Sequence, residues 1–449
     1  MIRPVGAALV LAALLAGCSG GSAATSAGPA AGPAGCRTPA YPAPAADRPR
    51  YVLQLTIDPT AHRVNGTVTV AFTPDIATDH LVFRLWANGP VLRREGAEMV
   101  AGPVTVDGAT AASHLADPTT LVVPRTIAAG ATVHVSLPFR LTLPQRAKDR
   151  ISQDGSAIRL GSFFPLLPWE PGVGWALQPP TLANGETSSS PIADFDATIH
   201  APAGLGVVAG GVPAGPGHWV ADDVRDFSVA TGHFSYLRRT VHAPGPVRLT
   251  VAVPSGVAVQ ADQAADEAQA AIEHLSRLYG PYPWKTLTLA YGPNLSEEGI
   301  EYPTVVFEGP DRFGLITAHE IAHQWFYSLV GNNQARDPWL DEGFASYAGA
   351  ETSGDLPFFA KLRLPAPAAG HMGAPMSYWD HNQSAYFAGV YAQPVQVLQS
   401  LGSTPKVECA LRRYVARNAY RIATDADAVA AFSTEFPDAR AVFARAGVR

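Results

Sequence analysis

The stretch "HEIAHQWFYSLVGNNQARDPWLDEGFASY", His319 to Tyr347, constrains the fold of this chain more tightly than any other. His319 and His323 stand four residues apart, which on an α-helix puts both imidazoles on one face, one turn from each other. Glu320 points about 100° around that helix and cannot easily join them on the same ion. Glu342 comes after residues 324–341, enough chain to finish the first helix, turn, and return on a second. A fold that uses this pattern must stack the two helices so that the Glu342 carboxylate meets both imidazoles. Two His and one carboxylate leave a fourth position open for water, as at a catalytic rather than a structural zinc. Glu320 would then reach that water, where a general base is needed. A structural alternative stands beside this reading, because Thr317 and Glu320 also have the spacing of a helix capping box. The setting of Glu342 in "WLDEGFASY", apolar and aromatic, favours the metal. His2Glu with an open position makes a single Zn2+ the default ion.

The rest of the chain frames that site. With 449 residues there is length for two or three domains. The net charge of −6 and the lack of any Lys/Arg cluster argue against nucleic acid as a partner. Residues 1–18, "MIRPVGAALVLAALLAGC", carry one charge and an apolar run too short to span a bilayer, as an export signal does. Leu15-Ala16-Gly17-Cys18 resembles a bacterial lipobox, which predicts lipidation at Cys18 and a body anchored on the extracytoplasmic face of the membrane. Residues 19–46 are rich in Gly, Ser, Ala and Pro and read as a flexible tether. Cys36 and Cys409 then remain as an even pair in an oxidising compartment. A disulfide between them would pin the end of the tether to the C-terminal domain; two unrelated thiols are the alternative.

From Tyr51 onward the pattern is that of strands. "YVLQLTIDP" alternates Val52, Gln54 and Thr56 against Leu53, Leu55 and Ile57, and "GTVTVAF" repeats the alternation after an expected turn at Asn65-Gly66. Residues 47–243 are expected to be an all-β sandwich or saddle. Residues 244–449 are expected to be α+β, opening on "ADQAADEAQAAIEHLSRLYG". That segment places Ile272, Leu275, Leu278 and Tyr279 on one helical face and ends at Gly280 as a C-cap.

"HEIAHQWF…WLDEGFASY" resembles the zinc signature of the membrane-alanyl-aminopeptidase-like family, the gluzincin aminopeptidases. "GIEYPTVVF" upstream is similar to that family's exopeptidase motif, and "GPYPWKTLTLAYGP" and the strands after Tyr51 also look like the family. The resemblance implies a thermolysin-like catalytic domain with zinc on His319, His323 and Glu342 and with Glu320 as general base. It implies that Glu301 binds the free α-ammonium of a peptide substrate, with Gly299 adding backbone contacts. The family's oxyanion donor is a tyrosine, for which Tyr391 in "GVYAQPVQVLQSLG" is the match, with Tyr386 five residues before it. Departures are Gly349, where the family is often acidic, Asp341 for a common asparagine, Ile300 for methionine, and Ala392-Gln393 after Tyr391. The expected enzyme is a monomer without the family's helical C-terminal domain, and its cleft is therefore more open. Glu297 and Glu298 add negative charge just before the exopeptidase motif. A zinc endopeptidase or other hydrolase on the same scaffold and a non-catalytic surface binding protein are the competing readings.

Overall fold

In the computed structural model, residues 36–182, 189–295, 298–311 and 314–449 are described. Cys18, the leader and most of the tether lie outside them, as does Glu297. Strand alternation builds the first half of the molecule. In Arg50–Asp58 exposed and buried residues alternate without a break, so Tyr51, Leu53, Leu55 and Ile57 all face one core. This strand runs parallel to Ala193–His200 and antiparallel to Arg63–Phe72, in the middle of a nine-stranded sheet. A three-stranded sheet (Thr78–Arg84, Thr120–Ile127, His114–Asp117) and a four-stranded one add Leu81, Phe83, Ile158 and Val229 to the same core.

The turn expected at Asn65-Gly66 lies elsewhere. Gly66 sits inside the strand opposite Leu55, and the chain reverses at residues 59–62. Gly66 pairs with Phe139 on its other side, and a Cβ at Gly66 would overlap the Phe139 ring. The glycine is there to receive an aromatic ring, not to turn the chain.

The domain boundary also moves. Val229–Gly232 closes the four-stranded sheet of the β domain, whereas Phe234–His242 opens the five-stranded sheet of the next domain. The junction is therefore at 233/234 instead of 243/244. Ala243-Pro244-Gly245, which looks like a break between domains, is the turn of the hairpin that joins Phe234–His242 to Pro246–Pro254.

The five strands run in the order Phe234–His242, Pro246–Pro254, Thr286–Tyr291, Val305–Glu308, Gly299–Tyr302, which leaves Gly299–Tyr302 as an edge. Helix Ala261–Tyr279 buries Ile272, Leu275 and Tyr279 on this domain's core, with Leu278 half-buried beside them. Gly280 follows it at φ +113 with the Tyr41 hydroxyl lying where a Cβ would be. Helices Gln393–Leu401, Thr404–Asn418, Asp425–Ser433 and Ala439–Arg445 close the domain, with Phe344, Tyr414, Phe432 and Phe443 at its centre. A Cys36–Cys409 disulfide ties the start of the described chain to helix Thr404–Asn418. Arg225, fully buried between the domains, donates to the carbonyls of Ser190 on one side and Tyr327, Leu329 and Arg421 on the other.

Candidate active site

Helix Gly314–Ala322 carries His319 and Glu320, and one further turn, closed by His323 N–H donating to His319 O at 3.2 Å, brings His323 onto the same face. The chain then returns through helix Trp339–Ser353, whose residues from Trp339 to Ala350 are all buried. This second helix is apolar all round because it lies in the interior, so only the few polar groups it carries point to function. Gly349 lets the two helices close up. A Cβ there would lie 2.8 Å from His319 N and 2.9 Å from its Cα.

The three expected ligands converge. His319 Nε2 lies 3.0 Å from His323 Nε2, and Glu342 Oε2 lies 3.3 Å and 3.4 Å from those two nitrogens. A tetrahedral ion with bonds of about 2.05 Å has ligand–ligand edges of about 3.3 Å, so the three atoms match three corners of one tetrahedron. His323 Nδ1 faces Phe326 O at 2.9 Å, and His319 Nδ1 faces Ser346 Oγ at 3.5 Å, with the Ala345 carbonyl also hydrogen-bonded to its ring. With Nδ1 as the donor on each ring, both Nε2 lone pairs point into the same space, where only a cation or a proton can satisfy them.

The charge pattern agrees. Burial works against the Glu342 anion, yet the hydrogen bonds from His319 and His323 hold its carboxyl well below the usual range. Burial also opposes charge on His323, but Glu342 outweighs it and raises the imidazole to about 9; His319, its partner, is lowered by burial. The pair carries one positive charge beside one carboxylate, the place a divalent ion takes. The donor set therefore fits zinc.

Glu320 is buried beside these ligands, and its Oε2 has no hydrogen-bond partner among the described residues. Burial, then the Glu301, Glu342 and Glu308 carboxylates, push its pKa well up against the pull of His323. Gly299 backs it directly, since a Cβ there would overlap Glu320 Cγ and Cδ. Glu301, two residues along the same edge strand, is buried, and ligand atoms of Glu301, Glu320 and His323 lie within 4.8 Å of one another. Ile300 points the other way, into a small core with Tyr302 and Phe307.

Tyr391 stands on an irregular π-turn, Phe387–Ala392, a local widening that often marks functional segments. Its ring stacks on His319 with centroids 5.9 Å apart, Tyr386 meets it edge-on at 5.7 Å, and its hydroxyl is hydrogen-bonded to Glu342. Burial and then the Glu342 charge keep the phenol protonated, raising its pKa well above 10.

Asp341, a departure from the family pattern, and Glu298, before the exopeptidase motif, each gain a physical account. Asp341 is buried, accepts from Gln334 Nε2 at 2.9 Å and from Glu342 N–H at 2.8 Å, and burial with the neighbouring Glu342 charge raises it to about 7. A carboxyl held near neutral pH this way sits close to the uncharged amide it stands for. Glu298 faces Lys148, Arg159 and Asp149 of the β domain, so its charge is spent away from the metal site. Residue patterns missed Gln324, a fully buried amide next to His323 that bonds to the turn after Glu301. Its only sequence signal is a polar residue followed by Trp325-Phe326 in an apolar run.

A β domain followed by a thermolysin-like domain with this His2Glu cluster defines the fold of a two-domain zinc metallopeptidase. Residues 264–363, which hold both helices of the His2Glu cluster, match the Peptidase family M1 domain. Aminopeptidase B of Homo sapiens is 36% identical over 98 residues, covering 19% of this chain and 15% of that protein. A leukotriene A-4 hydrolase homolog of Botryotinia fuckeliana is 27% identical over 173 residues, 34% of this chain and 26% of the relative. These matches thus span a small part of each relative's length. The crystal structure of an M1 zinc metallopeptidase from Deinococcus radiodurans superposes with a TM-score of 0.64 at 18% identity, covering 91% of this chain and 96% of that one.

Proposed function

We propose that the chain is a zinc-dependent aminopeptidase that removes N-terminal residues from peptides outside the cytoplasm. The observation that carries this reading is the Glu301 carboxylate, buried on the edge strand of the sheet and within 4.8 Å of Glu320 and His323. A carboxylate fixed so near the ligands suits a substrate's α-ammonium and limits the reach of cleavage to one residue. His319, His323 and Glu342 would hold zinc, which would supply Lewis-acid activation of water and of the scissile carbonyl.

The chain's own groups do the rest. Strand Gly299–Tyr302 offers its free edge to the substrate backbone as an added strand. Glu320, desolvated and unpartnered at Oε2, takes a proton from the attacking water and returns it to the leaving amine. The Tyr391 hydroxyl, protonated throughout the neutral range, donates to the carbonyl oxygen as charge develops there. The Cys36–Cys409 disulfide supports an oxidising compartment, and Leu15 to Cys18 supports lipid anchoring through Cys18. No helix among the described residues is long and apolar enough to cross a membrane. One similar Deinococcus radiodurans structure, 18% identical, is that of an M1 zinc metallopeptidase mutant bound to a Tyr-Ser-Ala substrate, which supports a short-peptide substrate here as well.

The test is hydrolysis of aminoacyl-anilides and their N-acetylated counterparts, each with and without a chelator. Chelator-sensitive cleavage of the free-amine compounds alone is expected. Equal cleavage of the blocked compounds would move the assignment to an endopeptidase, and no cleavage by zinc-loaded protein would leave a binding protein.

A further inference from the structure

The edge strand that carries Glu301 ends in a two-residue turn, with Tyr302 paired to Val305 across it. Pro303 and Thr304 fill its corners. Thr304 is buried and has φ +66, the left-handed conformation that the third position of a type II turn reserves for glycine. A β-branched residue stays in that region only where its surroundings hold it there. The holding groups come from two directions. Gln324 accepts from Thr304 N–H through Oε1 at 2.9 Å and donates to Tyr302 O through Nε2, also at 2.9 Å. From the β domain, Gly211 N–H donates to Thr304 Oγ1 at 2.7 Å. Tyr282 OH adds a longer contact to Gln324 Oε1 at 3.4 Å.

Gln324 follows the metal ligand His323 directly, is fully buried, and spends both ends of its amide on the turn that follows Glu301. We propose that Gln324 is a positioning residue for recognition of the substrate's free amine: it locks the Tyr302–Thr304 turn to the metal-ligand segment and so fixes the Glu301 carboxylate relative to the metal. The inference rests on the aminopeptidase reading above. It predicts a selective defect. Without the amide bridge the Tyr302–Thr304 end of the edge strand loosens against His323, the α-ammonium is held less well, and the metal ligands stay where they are.

The experiment uses the zinc-loaded full chain with Gln324→Met, which keeps volume and removes both hydrogen bonds, and Gln324→Glu, which keeps the acceptor for Thr304. Kinetics on a leucyl-anilide and its N-acetylated form, zinc content and Tm are measured for each. For Gln324→Met, KM for the free-amine substrate should rise about tenfold or more while kcat changes by less than about threefold and zinc content is unchanged. Gln324→Glu should fall between it and the parent, and it carries the test alone if Gln324→Met does not fold. A lower Tm with unchanged KM would overturn the proposal in favour of a purely structural amide, as would loss of zinc. A parent protein indifferent to N-acetylation would sink the aminopeptidase reading first, and this one with it; that outcome is visible without any variant.

Discussion

Gly349 shows how far a single residue can govern this site. The family's frequent acidic side chain at this position has no room here, because the His319 backbone lies where its Cβ would be. The two helices approach through the glycine instead, and that approach sets the distance from Glu342 to the imidazoles. Gly349→Ala must push one helix back by several tenths of an ångström. We expect a stability loss of about 1–3 kcal/mol, as overpacking typically costs. Zinc affinity should fall by about tenfold or more, because a ligand's outer support is disturbed. Competition with a chromogenic chelator reads this directly, and unchanged zinc affinity would show that the helices reach His319 some other way. Gly299 works by the same logic against Glu320. That His319 and His323 share one helical face could be read from spacing alone, since i and i+4 on a helix leave few alternatives. The steric role of the two glycines could not, because it depends on which backbone lies opposite.

Among the elements, the loop before helix Trp339–Ser353 joins charged groups of both domains. Arg336 bridges Asp337 at 2.8 Å and Glu170 of the β domain at 3.2 Å, while Asn333 also bonds to Glu170. Asp337 is buried, and burial followed by the Asp425 charge raises its pKa from 3.8 to about 6 despite Arg336. The folded state therefore holds a proton that the unfolded chain has released between about pH 4 and pH 6. Stability from this group is present below pH 4 and is lost as pH rises through 6, by roughly 2–3 kcal/mol. Asp337→Asn should remove that slope. Urea denaturation at pH 4, 5, 6 and 7 should show the variant gaining on the parent as pH rises, and parallel curves would contradict the assignment. Both helices of the His319–Tyr347 stretch were legible from their polar pattern. The π-turn beneath Tyr391 was not, since nothing in "FAGVYAQP" distinguishes a widened turn from a regular one until Trp379 packs against Gly389.

For the whole molecule, the contacts that matter join distant stretches of chain. Cys36 and Cys409 lie 373 residues apart in sequence and close the chain into a loop. Beside them Arg412 reaches Thr38 and Tyr41 reaches Tyr279, so residues 36–41 are strapped to the catalytic domain before the chain enters the β domain. Cys409→Ser should lower stability by about 2–4 kcal/mol, mainly by freeing the unfolded chain, and lower Tm by several degrees. At 25 °C kcat and KM should be unaltered, because the bond joins Cys36 to helix Thr404–Asn418, which carries none of the site residues. Equal melting curves for parent and variant would show that the strap holds without the bond. The sequence by itself determined the local terms: strand alternation, helical spacing and the succession of a strand-rich half by a helix-rich one. These depend on residue type and on neighbours a few positions away. Tertiary structure alone decided the boundary at 233/234, the aromatic cover over Gly66, the room at Gly349 and the clamp on Thr304. Each of those depends on which distant surface arrives opposite a residue, and short-range patterning carries no record of that.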